Sequence, residues 1–254
     1  MDLAGPIDIF NILSFPPWVA DISLKFVSET LAPVPTKAIP PRDADYTYDT
    51  ASLGMNDMNT SFNQYLVPDI TFADLLEKAG KGEETVDAIL IPGGIGTRLF
   101  RKYKDGTRRH NCEALMEWLP KITPYVQTAI ITVCTGSHVF AQTGLIDGRR
   151  ATTNMLRFND VSSARTQVNW QKGARWVKSD ANDAKTAGSK HDVEVWSSAG
   201  ISAGMDVALA FVAEYFGGMD VSKEIARRLE YDWSEPKDGE ICRFYGRYFG
   251  VTQD

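Results

Sequence analysis

Cys134 is the residue of this sequence whose setting is best suited to chemistry. It closes an apolar, β-branched run from Thr128 (TAIITVC) and is followed at once by Thr135-Gly136 and a helical pattern through Ala141. A thiol between a buried strand and the start of a helix sits at the positive end of the helix dipole, which favours the thiolate. The G-x-S-x-G elbow sets a serine in the same geometry. A lone free cysteine is more commonly a small core residue, but the strand before it and the Thr-Gly after it favour a nucleophile. A second apolar run, Val86 to Pro92 (VDAILIP), ends in Gly93-Gly94. In parallel α/β sheets, ligands bind at the carboxyl ends of the strands, where bare backbone N–H groups converge. Glycine lets that backbone come close. Gly93 and Gly94 are therefore expected to offer donors to a developing negative charge, with the Cys134 nucleophile beside them.

Other residue types offer less. Of the three histidines, His138 lies four residues after Cys134 and is expected on a helix face turned away from it, while His110 and His191 fall in loops. With no paired histidines, no metal and no cofactor are expected. The three cysteines, Cys112, Cys134 and Cys242, are too widely spaced for a disulfide framework or a zinc site. Such sparse usage fits a reducing, cytoplasmic setting. A net charge of −6 argues against a nucleic-acid partner. The one dense basic run, Arg98 to Arg109, reads as a solvated loop. No apolar run reaches the ~18 residues of a membrane span, and no basic-then-apolar leader is seen.

The elements that must position the thiol follow from patterning. The 254 residues, 43% hydrophobic and 24% charged, suit one α/β domain. Runs apolar on both faces, as at 86–92 and 128–134, predict parallel strands covered by helices on each side. Helices are expected from Gly5-Pro6 to the stop at Pro16-Pro17, from Thr71 (as N-cap) to Lys78, from Cys112 to Leu119, over 156–164, over 202–216 with Ser202 as N-cap, and from Val221 to Tyr231. A strand is expected at Ser23 to Glu29, a short extended piece at Tyr65-Leu66-Val67, and a short strand at Arg149 to Thr153. Two β-rich pieces between Ala174 and Ser198 suggest a hairpin with a polar tip containing Asn182, Asp183, Gly188 and Ser189. Residues 36–64 read as surface loop, and the tail from Lys237 has no clear pattern.

Several stretches together resemble the DJ-1/PfpI superfamily, in its isonitrile hydratase-like branch. They are IITVCTGSHVFAQTGLIDGRRATTN (130–154), VDAILIPGGIGTR (86–98), SSAGISAGMDVALAFVAEYFG (197–217) and RRLEYDW (227–233). The resemblance implies a single domain over 1–254, a flavodoxin-like three-layer sandwich with a mostly parallel sheet. Residues 36–64, 165–190 and 234–254 are then variable insertions or tail. It also implies a homodimer and a small-molecule substrate. By resemblance, Cys134 matches the nucleophile, Thr135 the threonine beside the substrate, and Gly93 and Gly94 the loop facing the cysteine. Asp2, in Asp-Leu-Ala-Gly-Pro, matches the acid that trades protons with the thiol. A carboxyl beside a thiolate is expected to have a raised pKa. Ile201 is placed to wall the pocket.

Two departures stand out. Relatives carry an apolar strand ahead of the Asp-Leu-Ala-Gly-Pro motif, and here the sequence opens on Met1-Asp2. Either the true start lies upstream or a core strand is absent, which leaves Asp2 expected on a frayed terminus. Asn154 also stands where several relatives carry histidine, so a Cys-His mechanism finds no base. The reaction implied is hydration of an isonitrile to an N-formamide. A non-enzymatic redox sensor or ligand-binding module, or an inactive homologue, is the alternative.

Overall fold

The computed structural model describes residues 2–41, 44–50, 63–188 and 191–251. In chain order its elements begin with α1 (Ala4–Leu13), β1 (Val27–Ser28), β2 (Val34–Pro35), β3 (Tyr46–Tyr48), β4 (Tyr65–Leu66), β5 (Ile70–Thr71), α2 (Phe72–Lys81), β6 (Val86–Ile91), β7 (Phe100–Tyr103), β8 (Arg108–His110) and α3 (Glu113–Ile122). They continue with β9 (Val126–Val133), α4 (Gly136–Gln142), β10 (Arg150–Ala151), α5 (Phe158–Ala164), β11 (Asn169–Trp170), β12 (Trp176–Ser179), α6 (Ala181–Ala187), β13 (Glu194–Ser198), α7 (Ala203–Tyr215), α8 (Met219–Arg228) and α9 (Arg243–Phe249). The chain divides into two compact units.

The first unit comprises Met1–Ser23, Asp87–Gly93 and Val126–Asp254. Its centre is a four-stranded sheet ordered β12-β13-β9-β6. β13 runs parallel to β9, with Val195 opposite Ile130 and Ser198 opposite Val133, while β12 is antiparallel to β13. β9 is buried from Ala129 onward, as its unbroken apolar run requires. Ala129, Ile131, Trp176 and Trp196 pack against Val207 and Phe211 of α7. α1 is stapled to this layer by Ile9 and Leu13, both fully buried among Ala208, Leu209 and Val212 of α7 and Ile225 of α8. Full burial of side chains of that size contributes roughly 1.5–3 kcal/mol each. Among the described residues no strand precedes α1.

The second unit comprises Leu24–Val86 and Gly94–Tyr125. It holds a parallel pair, β1 with β5, and two antiparallel arrangements, β2 with β4 and the three-stranded β3-β7-β8. Phe72 of α2 stacks on Trp118 of α3 with ring centroids 4.8 Å apart. Thr71 caps α2 as expected, its hydroxyl oxygen accepting from the Asp74 N–H at 3.1 Å.

The structure departs from the sequence reading at several places. The strand expected over 23–29 is reduced to Val27–Ser28, because only those residues enter a ladder, opposite Ile70 and Thr71. The basic run at 98–109 is a hairpin, not a loop: Arg101 pairs with Glu29 at 2.9 Å, and Lys102 and Arg108 converge on Asp49 at 3.1 and 3.2 Å. Arg108 also lies 3.7 Å from the centroid of the Phe100 ring, so these cations support strands by local pairing and cation–π contact. β3 falls inside the stretch read as loop, and much of that stretch (42–43 and 51–62) lies outside the described residues. α3 runs past Leu119 through Pro120, and its buried Trp118, Leu119 and Ile122 hold the helix where proline removes one donor. Between β12 and β13 the tip forms α6, capped by the Asp180 carboxylate, which accepts from the N–H groups of Asn182 and Asp183. Ser189 lies outside the described residues. The patternless tail carries α9, whose Tyr245 is buried with Met155, Phe158, Ala199 and Ala203.

Candidate active site

β9 delivers Cys134 to a turn in which its backbone is left-handed, with φ at +56°. A non-glycine residue held there costs on the order of 1–3 kcal/mol unless its surroundings fix it. Four hydrogen bonds do so. The Cys134 N–H is shared between the carbonyl oxygens of Ser198 and Ala199 at 3.1 and 3.2 Å. Its own carbonyl accepts from the Ser137 hydroxyl at 2.9 Å and from the Thr153 hydroxyl at 3.1 Å. Two glycines make room for the turn. A Cβ on Gly136 would lie 2.2 Å from the carbonyl oxygen of Ile91, and one on Gly93 would lie 2.6 Å from the Thr135 nitrogen. The strained elbow and the Thr-Gly that follows it are thus one packed unit against the end of β6.

Cys134 is buried, with 7% of the residue exposed. The Thr135 backbone N–H and the Asn154 side-chain amide both donate to it, the latter at 3.2 Å. The Asp2 carboxyl shares a hydrogen bond with the thiol and accepts another from the Gly93 N–H. Burial pushes the Cys134 thiol above its ordinary range and the Asp2 charge pushes the same way, while the Thr135 and Asn154 donors pull it down. Burial and the facing carboxylate thus push the thiol in the direction opposite to the one a helix start alone favours. Burial likewise raises the Asp2 carboxyl, against the hydrogen bonds from Cys134 and Gly93. The two groups form one coupled pair that prefers to hold a proton between them.

Asp2, Gly93, Cys134 and Thr135 come together at the end of β9. Asp2 is half-buried rather than frayed, because the Ile7 N–H donates to Leu3 at 3.1 Å and the buried face of α1 anchors the turn that carries the acid. Thr135 is buried at the head of α4. Gly94 begins the later segment of the second unit, with φ at +119° and its carbonyl accepting from the Thr97 hydroxyl at 2.7 Å. Ile201 has φ at +48° and is 48% exposed. Ser202 stands at the N-cap of α7 without capping it; its hydroxyl accepts from Arg175 at 3.1 Å instead. His138 lies within α4. Asn154, Thr153 and Gly200 were not read as site residues. The signal available for them was the Ala-Thr-Thr-Asn leaving a short strand and the Ala-Gly after the buried Val195–Ser198 run. Among the described residues no cluster of three or more His, Cys, Asp or Glu side chains is placed to hold a metal ion. Among the same residues no helix is long and apolar enough to cross a membrane.

Comparison with known proteins gives one consistent answer. The DJ-1/PfpI family model matches residues 27–214. Isonitrile hydratase of Pseudomonas putida is 26% identical over 238 residues, covering 94% of this chain and 76% of that protein. A solved THiJ/PfpI family protein from Pseudomonas syringae superposes with a TM-score of 0.55 at 20% identity, covering 93% of this chain and 72% of its own. Oxidized DJ-1 of Toxoplasma gondii gives 0.52 at 16% identity, covering 91% of each chain. These likenesses establish the flavodoxin-like three-layer α/β fold.

Proposed function

This chain belongs to the DJ-1/PfpI family, and from that premise we propose that it is a cysteine-dependent hydratase converting an isonitrile to an N-formamide. The observation that carries the reading is the hydrogen bond between the Asp2 carboxyl and the Cys134 thiol, at a place where burial raises the pKa of each group. Isonitrile hydration needs a soft nucleophile and an acid that can reach the same carbon. The similarity to an isonitrile hydratase supports the substrate class.

The chemistry balances without a cofactor. The thiol proton passes to the Asp2 carboxylate; the thiolate then attacks the terminal isonitrile carbon while Asp2 returns that proton to the same carbon. The product is a thioimidate on Cys134. Water adds across its C=N bond, oxygen to carbon and hydrogen to nitrogen, with Asp2 relaying the proton. Collapse forms the formamide C=O bond and breaks the C–S bond, and the hydroxyl proton goes back to sulfur. Thr135 is assigned to orienting substrate or water, and the Gly93 N–H holds the Asp2 carboxyl in place.

A redox sensor is the competing reading, and the local electrostatics weigh against it. Fast oxidation by peroxide calls for an exposed thiol of depressed pKa; here the thiol is buried and pushed upward. Incubating purified protein with an alkyl isonitrile and measuring N-formamide tests the proposal directly. Turnover by the wild type and none by Cys134→Ala are expected. Equal turnover by Cys134→Ala sinks the mechanism, and peroxide oxidation at Cys134 without formamide from any isonitrile favours the sensor.

A further inference from the structure

The side chain of Asn154 is held in an unusual way. Its Nδ2 donates to the Cys134 sulfur at 3.2 Å, while its Oδ1 is buried with no hydrogen-bond partner among the described residues. A buried amide carbonyl left unpaired is costly. Among the described residues no hydrogen bond at the far end of the amide fixes its orientation, and its one polar partner there is the sulfur. The space for it comes from Gly200. A Cβ built on Gly200 would stand 2.4 Å from Nδ2 and 3.4 Å from the amide carbon of Asn154. Real Cβ atoms do not approach that closely, so any side chain at position 200 displaces the amide.

We propose that Asn154 is a further catalytic residue, the neutral donor that activates the Cys134 sulfur, and that Gly200 is the positioning residue that seats it. An amide donor stabilises the thiolate relative to the thiol, because a hydrogen bond to an ionised sulfur is stronger than one to a neutral one. It does so without adding a group that titrates. Among the described residues, the titratable groups that act on the sulfur are Asp2, ahead of α1, and Tyr245, of α9. Neither supplies a positive charge, and Asp2 opposes ionisation. Together with the Thr135 N–H, Asn154 then supplies the hydrogen bonding that offsets burial and the Asp2 charge. The inference concerns the ionisation of Cys134 and stands whether or not the substrate is an isonitrile.

The test is the pH dependence of iodoacetamide alkylation at Cys134, followed on its own peptide by mass spectrometry so that Cys112 and Cys242 do not contribute. Asn154→Ala is expected to move the alkylation midpoint upward by about one unit, which makes the reaction about tenfold slower below the midpoint. Gly200→Ala leaves Asn154 in the chain but pushes its amide aside, and it should give an upward shift of the same size. The double variant should shift no further than either single one, since both remove one interaction. Asn154→Leu keeps the branched shape of the side chain and removes the Nδ2 donor without adding a charge; it provides the same test if the alanine variant does not fold, and its shift should be of the same size. A midpoint left in place by Asn154→Leu, or by Gly200→Ala, overturns the proposal, and so does an additive double variant.

Discussion

The Cβ that Gly93 lacks would stand 2.8 Å from the Cβ of Cys134. The same methyl would meet the Thr135 nitrogen at 2.6 Å and the Val133 carbonyl oxygen at 2.8 Å, so backbone on two sides leaves it nowhere to go. Gly93→Ala must therefore part the end of β6 from the elbow. It also moves the N–H that holds the Asp2 carboxyl. We expect a loss of stability of about 1–3 kcal/mol, read by urea unfolding, together with loss of isonitrile hydration. Native stability in that variant would show that the elbow is looser than its packing implies.

Asp2→Asn separates the two roles of the acid. The Asp2 charge raises the Cys134 pKa, so removing it should lower the midpoint of Cys134 alkylation and speed alkylation at neutral pH. Hydration should stop, because the amide cannot carry a proton to carbon. A variant with a more reactive thiol and no formamide is the expected result. Slower alkylation in Asp2→Asn would mean that Asp2 activates the thiol rather than restrains it.

The same carboxyl should leave a mark on stability against pH. Burial raises the folded pKa of Asp2 above its ordinary value. A group of that kind stabilises the fold fully below its unfolded pKa, near 3.9, and that contribution is lost as pH rises through the raised folded value. Urea midpoints of the wild type should therefore fall relative to those of Asp2→Asn as pH increases upward from about 4. Parallel curves would show that the carboxyl titrates as though exposed.

How much of this was legible in the sequence depended on the physical signal each part carried. The buried strand ending at Cys134 and the Gly93 approach were visible because an unbroken β-branched run and a bare glycine each have one common structural meaning. The motif likeness brought in Asp2, which composition and spacing alone could not have placed beside a thiol 132 positions away in the sequence. What sequence could not give was the balance of forces on the sulfur. A thiol at a helix start reads as acidic, and only the burial of Cys134 and the Asp2 contact reverse the sign. Asn154 and Gly200 were harder to see for a different reason: their pairing rests on the space that the missing Cβ of Gly200 leaves for the Asn154 amide, 46 positions away in the sequence. The Arg98–Arg109 hairpin was masked by its charge, since its strands are held by ion pairs and cation–π contacts rather than by an apolar face.

Arg149, in the Gly-Arg-Arg-Ala-Thr-Thr stretch that carries the family likeness, gives the last prediction. Only 1% of it is exposed, and burial pushes its guanidinium pKa downward. Its fork donates to the Ser179 hydroxyl at 3.0 Å and to the carbonyl oxygens of Ser179, Val193, Asp180 and His191 at 2.6, 2.9, 3.3 and 3.4 Å. Those acceptors lie at the end of β12, at the start of α6 and just before β13, so a single side chain ties the strand entering the tip to the one leaving it. Lysine carries the charge but not the fork, and Arg149→Lys strands several carbonyls that arginine had satisfied. Each buried group left unpaired costs about 1–3 kcal/mol, so a destabilisation of at least about 3 kcal/mol is expected. In the folded fraction the Cys134 alkylation midpoint should not move, because none of these bonds reaches the sulfur. A normal urea midpoint for Arg149→Lys would show that water or backbone movement replaces the fork; an altered thiol would place Arg149 in the site after all.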